Sequence, residues 1–318
     1  MSRSVAVIFN PVTGAKDPAG RRGKVEEALE KARMSAVWLE TTEEDAGERM
    51  LKEALSENDL DMVLVSGGDG TVMACVSALA GTQVPLAVLP GGTGNLLALN
   101  LDIPLDLDAA MDVALNGERR RIDVCHTRQG CYAIMARVGF DAAMLRDANP
   151  RLKTRIGALA YFFSALKHLR DEAVNYEITL DGQQVASGSA HCILIGNLGR
   201  LQGGLEVIPA ADPHDGVLDV AVIRAGTIAS WFLVVLRVLR GRREGDARVQ
   251  TFRAKMVKVT TNRVLPVELD GDVFGETDEL TVEVMPAALT VCVPSRSQHD
   301  RNQGPGVEPG KEPSRRPA

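Results

Sequence analysis

The segment Val65-Ser66-Gly67-Gly68-Asp69-Gly70-Thr71-Val72, at residues 65–72, decides the fold class of this sequence. Two adjacent glycines and a third after Asp69 let the backbone turn sharply and approach a ligand without an intervening side chain. The apolar residues that follow have the spacing of a helix, whose amino terminus would face a bound phosphate. The order of strand, glycine turn and helix therefore predicts a phosphate-binding unit, although an isolated glycine cluster fits an ordinary strand-to-helix turn equally well.

Two further polar turns follow strand-like runs. Pro90-Gly91-Gly92-Thr93-Gly94-Asn95 lies between an apolar run at residues 86–89 and a helical run at residues 96–99, and Asn10-Pro11-Val12-Thr13-Gly14 follows the run at residues 5–9. Parallel strands bring such turns together at the carboxyl edge of a sheet, where open α/β folds bind ligands. The sequence has no Gly-x-x-x-x-Gly-Lys-Ser/Thr and no Gly-x-Gly-x-x-Gly after its first strand. The sequence thus excludes a P-loop of that kind and argues against a Rossmann dehydrogenase.

The pattern of apolar residues changes near residue 121. Before that point, short apolar runs alternate with helical stretches, which predicts an α/β nucleotide-binding domain with a parallel sheet and helices on both faces. Beyond it, Asp-Gly turns at residues 181, 215 and 270 separate Thr- and Val-rich segments, so we expect a β-rich, mainly antiparallel second domain. We predict one domain at residues 1–122 and a second at residues 123–294. The last strand of the second domain is a candidate to pair with the sheet of the first. The Pro- and Gly-rich tail at residues 295–318 is expected to be disordered.

Composition restricts the classes of function. A chain of 318 residues with a formal charge of −6 argues against a dedicated nucleic-acid binder, which normally has a basic surplus. Its five cysteines lack the paired spacing of a zinc site or a disulfide framework and suit a reducing cytoplasm. The longest strongly apolar run, at residues 228–236, falls well short of the roughly 20 residues that cross a bilayer. We therefore expect any membrane contact to be peripheral.

Six motifs in a fixed order resemble the diacylglycerol kinase catalytic-domain family, and within it the soluble bacterial lipid kinases related to sphingosine kinases. They are Asn10-Pro11 with Gly14, Gly67-Gly68-Asp69-Gly70-Thr71, Pro90-Gly91-Gly92-Thr93-Gly94-Asn95, Gly139-Phe140-Asp141-Ala142, Asp215-Gly216 with Leu218-Asp219-Val220, and Asp270-Gly271-Asp272. NAD kinases and phosphofructokinases share the second motif alone. The resemblance implies an NAD kinase-like two-domain fold that binds ATP between its domains. It also implies a lipid substrate whose hydroxyl is phosphorylated, such as diacylglycerol giving phosphatidate.

The resemblance also implies which residues hold the nucleotide. They are Asn10, Pro11, Thr41, Gly67, Gly68, Asp69, Gly70, Thr71, Val72, Met73, Gly92 and Thr93. Thr42 is an alternative to Thr41. The local sequence equally favours this pair as the amino-terminal cap of a helix at residues 43–55.

Asp69, Asp141 and Asp272 are the candidates for the chemistry. Phosphoryl transfer needs the phosphate charge to be neutralised and a group that accepts the proton of the attacking hydroxyl. In the resembling family the residue that follows Asp-Gly at this point is the proposed base, which here is Asp272. Most relatives have Glu at that position, one methylene longer, so Glu276 is the rival. We expect Asp141 to orient its neighbours.

The resemblance implies two kinds of Mg²⁺ site. One ion accompanies ATP. A separate structural ion is bound by Asp212, Asp215 and Val217, through the Asp215 carboxylate and the main-chain carbonyls of the other two residues. These oxygen ligands are of the kind that Mg²⁺ prefers.

Two basic amphipathic stretches, at residues 146–170 and 231–243, predict transient contact with the inner membrane surface, although both fit packing on the β-rich domain equally well. We expect a cytoplasmic protein, peripheral at the membrane, with a lipid substrate and no nucleic-acid partner, and with a homodimer as an open alternative. Two other functions remain open. One is a kinase that phosphorylates NAD. The other is a non-catalytic nucleotide-binding regulator, for which Leu96, at a position where many members of the resembling family carry Asp, and the short Asp272 would be signs of lost activity.

Overall fold

The structure is a computed structural model that describes residues 3–13, 17–138, 173–201, 205–208, 211–225, 248–296 and 298. Strands and helices alternate in its first part. They are β1 (Arg3–Phe9), α1 (Pro18–Lys31), β2 (Met34–Glu40), α2 (Glu48–Glu57), β3 (Met62–Gly67), α3 (Asp69–Leu79), β4 (Leu86–Pro90), α4 (Leu96–Asn100) and α5 (Leu107–Asn116). The four strands pair with one another in parallel, in the order β4-β3-β1-β2. The predicted α/β domain with a parallel sheet is confirmed.

The second part consists of strands. They are β5 (Glu118–Thr127), β6 (Gly130–Tyr132), β7 (Met135–Val138), β8 (Val174–Leu180), β9 (Gln183–Ala190), β10 (Cys192–Gly196), β11 (Arg200–Leu201), β12 (Leu205–Glu206), β13 (Leu218–Ile223), β14 (Val249–Ala254), β15 (Met256–Leu269) and β16 (Asp272–Val293). All pairs among these described strands are antiparallel, which confirms the predicted β-rich domain. Asp270 and Gly271, at φ values of 51° and 99°, form the turn between β15 and β16.

One long strand joins the two parts. β16 pairs in antiparallel fashion with β15 and β5, and near its end Val291 pairs in parallel with Leu86 of β4. The two parts therefore share a single 14-stranded sheet. β5 spans the predicted boundary at residue 122, and the domain limits stay a prediction.

Helix α3 connects the two hydrophobic cores. Its Val72 and Cys75 belong to the core between the parallel sheet and its helices. Met73, on another side of the same helix, packs among the antiparallel strands with Tyr132 and Leu269. The amino terminus of α3 is thereby fixed at the junction of the two parts. None of the helices in the described part of the chain is long and apolar enough to cross a membrane.

Candidate phosphoryl-transfer site

The first turn, residues 67–71, joins β3 to α3. Gly68 precedes the helix and Asp69 is its first residue, with no side chain hydrogen-bonded as a cap. A Cβ at Gly67 would lie 2.8 Å from the Cβ of Thr71, so the close approach requires glycine. The first N–H groups of a helix have no partner within it and are favourably placed for an anion. This helix end can therefore receive a phosphate.

Asn10 ties the loop after β1 to the first turn. Its Nδ2 donates to Thr71 Oγ1 at 3.3 Å, and its main-chain N–H donates to the carbonyl of Ser66 at 2.9 Å. Its Oδ1 accepts from the N–H groups two and three residues further on, at 3.0 and 3.2 Å, and so folds the loop around Pro11. The loop and the turn, far apart in sequence, form one structure.

The second turn, residues 90–95, packs directly on the first. The N–H of Gly91 donates to the carbonyl of Gly67 at 3.0 Å, and a Cβ at Gly92 would lie only 2.7 Å from the Cα of Gly68. Asn95, in the left-handed region with φ 48°, closes the turn through side-chain bonds to the N–H and carbonyl of Gly92, at 2.9 and 2.8 Å. Thr93 lies within this turn.

The side chain of Asp69 holds the two turns together. Its Oδ2 accepts from the N–H of Asn95 at 3.0 Å, and its Oδ1 accepts from the N–H of Leu96 at 2.6 Å. Both carboxylate oxygens thus bind the start of α4. This geometry makes Asp69 a positioning residue for the second turn, and a direct part in the chemistry stays a prediction.

Thr41 lies buried just beyond β2, where its N–H donates to the carbonyl of Phe9 at 2.9 Å. Thr42 accepts from the N–H groups of residues 44 and 45 in a local turn. Helix α2 begins only at Glu48, after Gly47 with φ 119°. The prediction of a helix at residues 43–55 capped by the Thr pair is wrong, because the turn takes up these N–H groups and Gly47 delays the helix.

A cavity of about 690 Å³ lies beside the first turn. Gly70 and Met73 line it along α3, Cys131 along β6, and Asp272 and Phe274 along β16. Val72 is buried in α3 and does not line this cavity. Two of the predicted nucleotide residues and the predicted base therefore border one space, which opens between the two parts of the chain.

Asp272, at the start of β16, lies against the first turn of α3. A Cβ at Gly70 would be 2.9 Å from Asp272 Oδ2. Partial desolvation beside α3 raises the pKa of Asp272, and the negative charge of Asp69 raises it further, although the residue as a whole is exposed. A raised pKa makes a carboxylate a stronger base. The fold thus places the predicted base at the helix end that can receive phosphate.

Glu276 is further from that helix end. It is exposed and pairs with Pro266 across the β15–β16 hairpin. Four residues along a strand correspond to about 13 Å, so Glu276 and Asp272 are well separated. The geometry favours Asp272 over its rival.

Asp270 belongs to the Asp270-Gly271-Asp272 motif, but its positioning role was not evident from the sequence. It is buried, and its carboxylate accepts from the N–H groups of Ala133, Ile134 and Met135 at 3.0, 3.0 and 2.8 Å. Burial raises its pKa to about 6, while the three amide donors act in the opposite direction. Asp270 fixes the hairpin turn against the segment between β6 and β7, and thereby positions Asp272 two residues later.

Asp123 is a second missed carboxylate. It is buried, and its oxygens accept from the N–H groups of Gly216 at 2.8 Å and Ala287 at 2.7 Å. Its own N–H donates to the carbonyl of Pro213 at 2.7 Å. In the sequence, its position between the apolar residues Ile122 and Val124 was the signal that could have identified it. Asp123 anchors the predicted metal loop to the sheet.

The predicted metal loop is held by ion pairs in the structure. Asp215 contacts Arg253 and accepts from the N–H of Val217 at 3.1 Å, and Arg253 also pairs with Asp219 at 3.3 Å. A hydrogen bond from His214 lowers the pKa of Asp212. No group of three or more His, Cys, Asp or Glu side chains in the described part could hold a metal.

The donors of this loop nevertheless fit a hard cation in kind. They are oxygens. Beside them, in β13, the second carboxylate oxygen of Asp219 is buried and has no hydrogen-bond partner among the described residues. A bound Mg²⁺ would have to share Asp215 with Arg253. The assignment of Asp212, Asp215 and Val217 as ligands stays a prediction.

We expect Asp215→Asn to abolish stabilisation of this protein by Mg²⁺. An ion bound only by the folded state at about 100 times its Kd adds about 2.7 kcal/mol to the free energy of unfolding. The measurement, made without nucleotide, is the difference between the Tm in Mg²⁺ and the Tm in EDTA. This difference isolates the effect of the ion, because loss of the ion pair with Arg253 lowers Tm equally in the two conditions. Asp102→Asn, which removes a surface aspartate paired with Arg200 at 3.0 Å, is the matched control. An equal Mg²⁺ response in all three proteins would show that the loop binds no structural ion.

Some predicted features lie outside the described residues. These are Gly14, the Gly139-Phe140-Asp141-Ala142 motif with the candidate Asp141, and the two basic stretches at residues 146–170 and 231–243.

Comparison with known proteins identifies the family to which the chain is similar. The family described as the diacylglycerol kinase catalytic domain matches residues 4–127, and the YegS C-terminal NAD kinase beta sandwich-like domain matches residues 135–293. A Mycobacterium tuberculosis diacylglycerol kinase is 30% identical over 253 residues, which cover 77% of this chain and 81% of the relative.

Solved structures share the fold. A diacylglycerol kinase from Bacillus anthracis superposes with a TM-score of 0.71 at 23% identity, over 92% of this chain and 97% of that one. An NAD kinase from Archaeoglobus fulgidus in complex with ATP gives 0.51 at 14% identity, over 94% and 96%. The family matches, which together span both parts of the chain, confirm the resemblance inferred from the motifs. The chain belongs to the diacylglycerol kinase catalytic-domain family.

Proposed function

We propose that this protein is an ATP-dependent lipid kinase that transfers the γ-phosphate of ATP to a hydroxyl of diacylglycerol or a related lipid alcohol. With diacylglycerol the product is phosphatidate. The observation that carries the proposal is the position of Asp272 against Gly70, at the amino terminus of α3 and beside the cavity. The candidate proton acceptor therefore lies next to a helix end that could bind phosphate, an arrangement that supports phosphoryl transfer.

The two turns and the loop after β1 would hold the nucleotide. The N–H groups that begin α3 would bind its phosphates, since a helix amino terminus favours negative charge. Asn10, bonded to Thr71, would keep the loop closed over the first turn. The cavity beside Gly70 and Met73 would receive the nucleoside. Bound Mg²⁺ would supply charge neutralisation at the phosphates.

Asp272 would then accept the proton of the substrate hydroxyl. As the O–H bond breaks, the oxygen attacks the γ-phosphorus and the bond to the β-phosphate oxygen breaks, which releases ADP. The raised pKa of Asp272 assists this transfer, because a stronger base takes the proton more readily. Val273 and Phe274, each 41% exposed, follow Asp272 directly and would offer apolar surface to the chain of a lipid. We also propose that the protein acts in the cytoplasm, in peripheral contact with the membrane that would supply its substrate.

The test is transfer of radiolabelled phosphate from ATP to a panel of acceptors. The panel contains diacylglycerol, a sphingoid base, phosphatidylglycerol and an isoprenoid alcohol in mixed micelles, with NAD as a soluble acceptor. We expect label in a lipid product, strongest with diacylglycerol, and little with NAD. Label in NAD alone would identify an NAD kinase, and ATP binding without transfer to any acceptor would indicate a regulator.

A further inference from the structure

Arg21, in the first turn of α1, reaches beneath both phosphate-binding turns. Its Nε donates to the hydroxyl of Ser66 at 2.8 Å, and its Nη2 donates to the carbonyls of Leu89 and Pro90, both at 2.9 Å. Ser66 immediately precedes the first turn, and Leu89 and Pro90 lead into the second. One guanidinium therefore spans the ends of β3 and β4 from which the two turns start.

The charge of Arg21 has no carboxylate to balance it among the described residues. Its hydrogen bonds there go to a hydroxyl and two carbonyls, which are neutral. The group is half-buried, and desolvation lowers its pKa, but an arginine stays protonated in proteins. A Cβ at Gly91, in the second turn, would lie 3.7 Å from its Nη2. Among the described residues, the positive charge of Arg21 is therefore unbalanced, and it lies next to both turns.

Arg22, the next residue, gives the contrast. Its guanidinium pairs with Glu26 at 2.9 Å and with Glu40, and it stacks over the ring of Trp38 at 4.4 Å. Its charge is balanced at the surface of the same helix, and among the described residues it forms no hydrogen bond to either turn. The two neighbouring arginines thus differ in partners, not in residue type or helix position.

We propose that Arg21 is a positioning residue for the nucleotide phosphates. Its hydrogen bonds fix the spacing of the two turns, and its charge favours an anion above them. Burying a charge without a counter-ion is unfavourable, and a bound polyphosphate would supply the missing negative charge. The inference rests on the proposed function, since it assumes that the turns bind ATP.

Isothermal titration of ATP and of adenosine tests the proposal with Arg21→Met, Arg21→Lys and, as matched control, Arg22→Met. We expect Arg21→Met to raise the Kd of ATP by about 10- to 100-fold, the usual effect of lost charge-assisted bonds. Adenosine binding should change little, because adenosine has no phosphate. Arg21→Lys, which keeps the charge, should recover part of the ATP affinity, and Arg22→Met should bind both ligands normally.

A rescue experiment separates positioning from general folding. Ethylguanidinium added to Arg21→Ala should restore part of the ATP affinity and of the turnover, and should not affect Arg22→Ala. If wild-type protein bound no ATP, the proposed function itself would fail. If wild type bound ATP and Arg21→Met bound it equally well, or if ATP and adenosine weakened in parallel, only the role of Arg21 would be overturned. If Arg21→Ala does not fold, the affinities for ATP and adenosine are compared in Arg21→Lys instead.

Discussion

Replacement of Asp69 by alanine is expected to abolish kinase activity while leaving the overall fold in place. The variant loses the acceptor for the N–H groups of Asn95 and Leu96, so the second turn is released from the first. Displacement of a binding group by about 1 Å can cost about 10²-fold in rate, and both nucleotide turns are affected here. We therefore expect a loss of turnover of at least that size, measured as phosphate transfer to lipid.

The cost in stability should be smaller than the cost in activity. Asp69 is only partly buried, so water can take the place of its carboxylate, and the cost per main-chain donor should fall below the roughly 1–3 kcal/mol of a donor that water cannot reach. Asp106→Ala is the matched control, because Asp106 accepts from the N–H of Ala109 at 3.0 Å as the cap of α5, away from the turns. It loses one such bond where Asp69→Ala loses two, so it should lower Tm by a smaller amount and leave turnover nearly unchanged. Near-normal turnover in Asp69→Ala would remove the nucleotide site from these turns.

Asp69→Asn refines the interpretation. The amide keeps one oxygen that can accept from Asn95 or Leu96, so activity should lie between those of wild type and Asp69→Ala. If both variants were equally inactive although folded, the negative charge of Asp69 would matter more than its hydrogen bonds. Asp69 would then have a direct part in the chemistry.

Three strands of the nucleotide domain and the turns that follow them were predictable because they depend on local chemistry, whereas the edge strand β2 has no fully buried residue and was not predicted. Buried parallel strands appear as continuous apolar runs, and glycine marks the close approaches at Gly67 and Gly92. The start of α2 was not predictable from the pattern of apolar residues. It depends on a local turn at Thr42 and on the positive φ of Gly47, which compete with the helix.

The contacts that assemble the site were beyond local reasoning. The bonds from Asp69 to the second turn join residues 26 and 27 positions apart, and Asp270 binds main-chain groups 135–137 positions away. Arg21 and Arg22 are neighbours of the same residue type, and only the structure shows that they bind different partners. The sequence identified candidate catalytic residues by their type. Only the tertiary structure shows which carboxylates and arginines position other groups.

Replacement of Asp272 by asparagine is expected to lower turnover by roughly 10²- to 10⁴-fold, the usual contribution of general base catalysis. The amide cannot accept the proton of the substrate hydroxyl. ATP affinity, measured by titration without lipid, should change little, because Asp272 faces Gly70 from β16 and does not form part of the turns. Asp272→Glu, which restores the residue common in the family, should retain measurable activity.

The pH dependence gives an independent readout of the same residue. The base must be ionised, so turnover should fall as pH drops through the pKa of Asp272. That pKa is raised by partial burial and then by Asp69, which places the acid limb at a higher pH than an ordinary aspartate would give. In Asp69→Asn the second cause disappears, and the midpoint of the acid limb should move to lower pH even though turnover is reduced.

Glu276→Gln is the matched control for the base, because it neutralises a carboxylate on the same strand about 13 Å away. Glu276 is exposed and lies opposite Pro266, so its loss should be mild and leave the acid limb in place. A severe loss in Glu276→Gln together with a mild one in Asp272→Asn would transfer the role of base to Glu276. An acid limb that survives unchanged in Asp272→Asn would also contradict the assignment, because the titrating group would then lie elsewhere in the site.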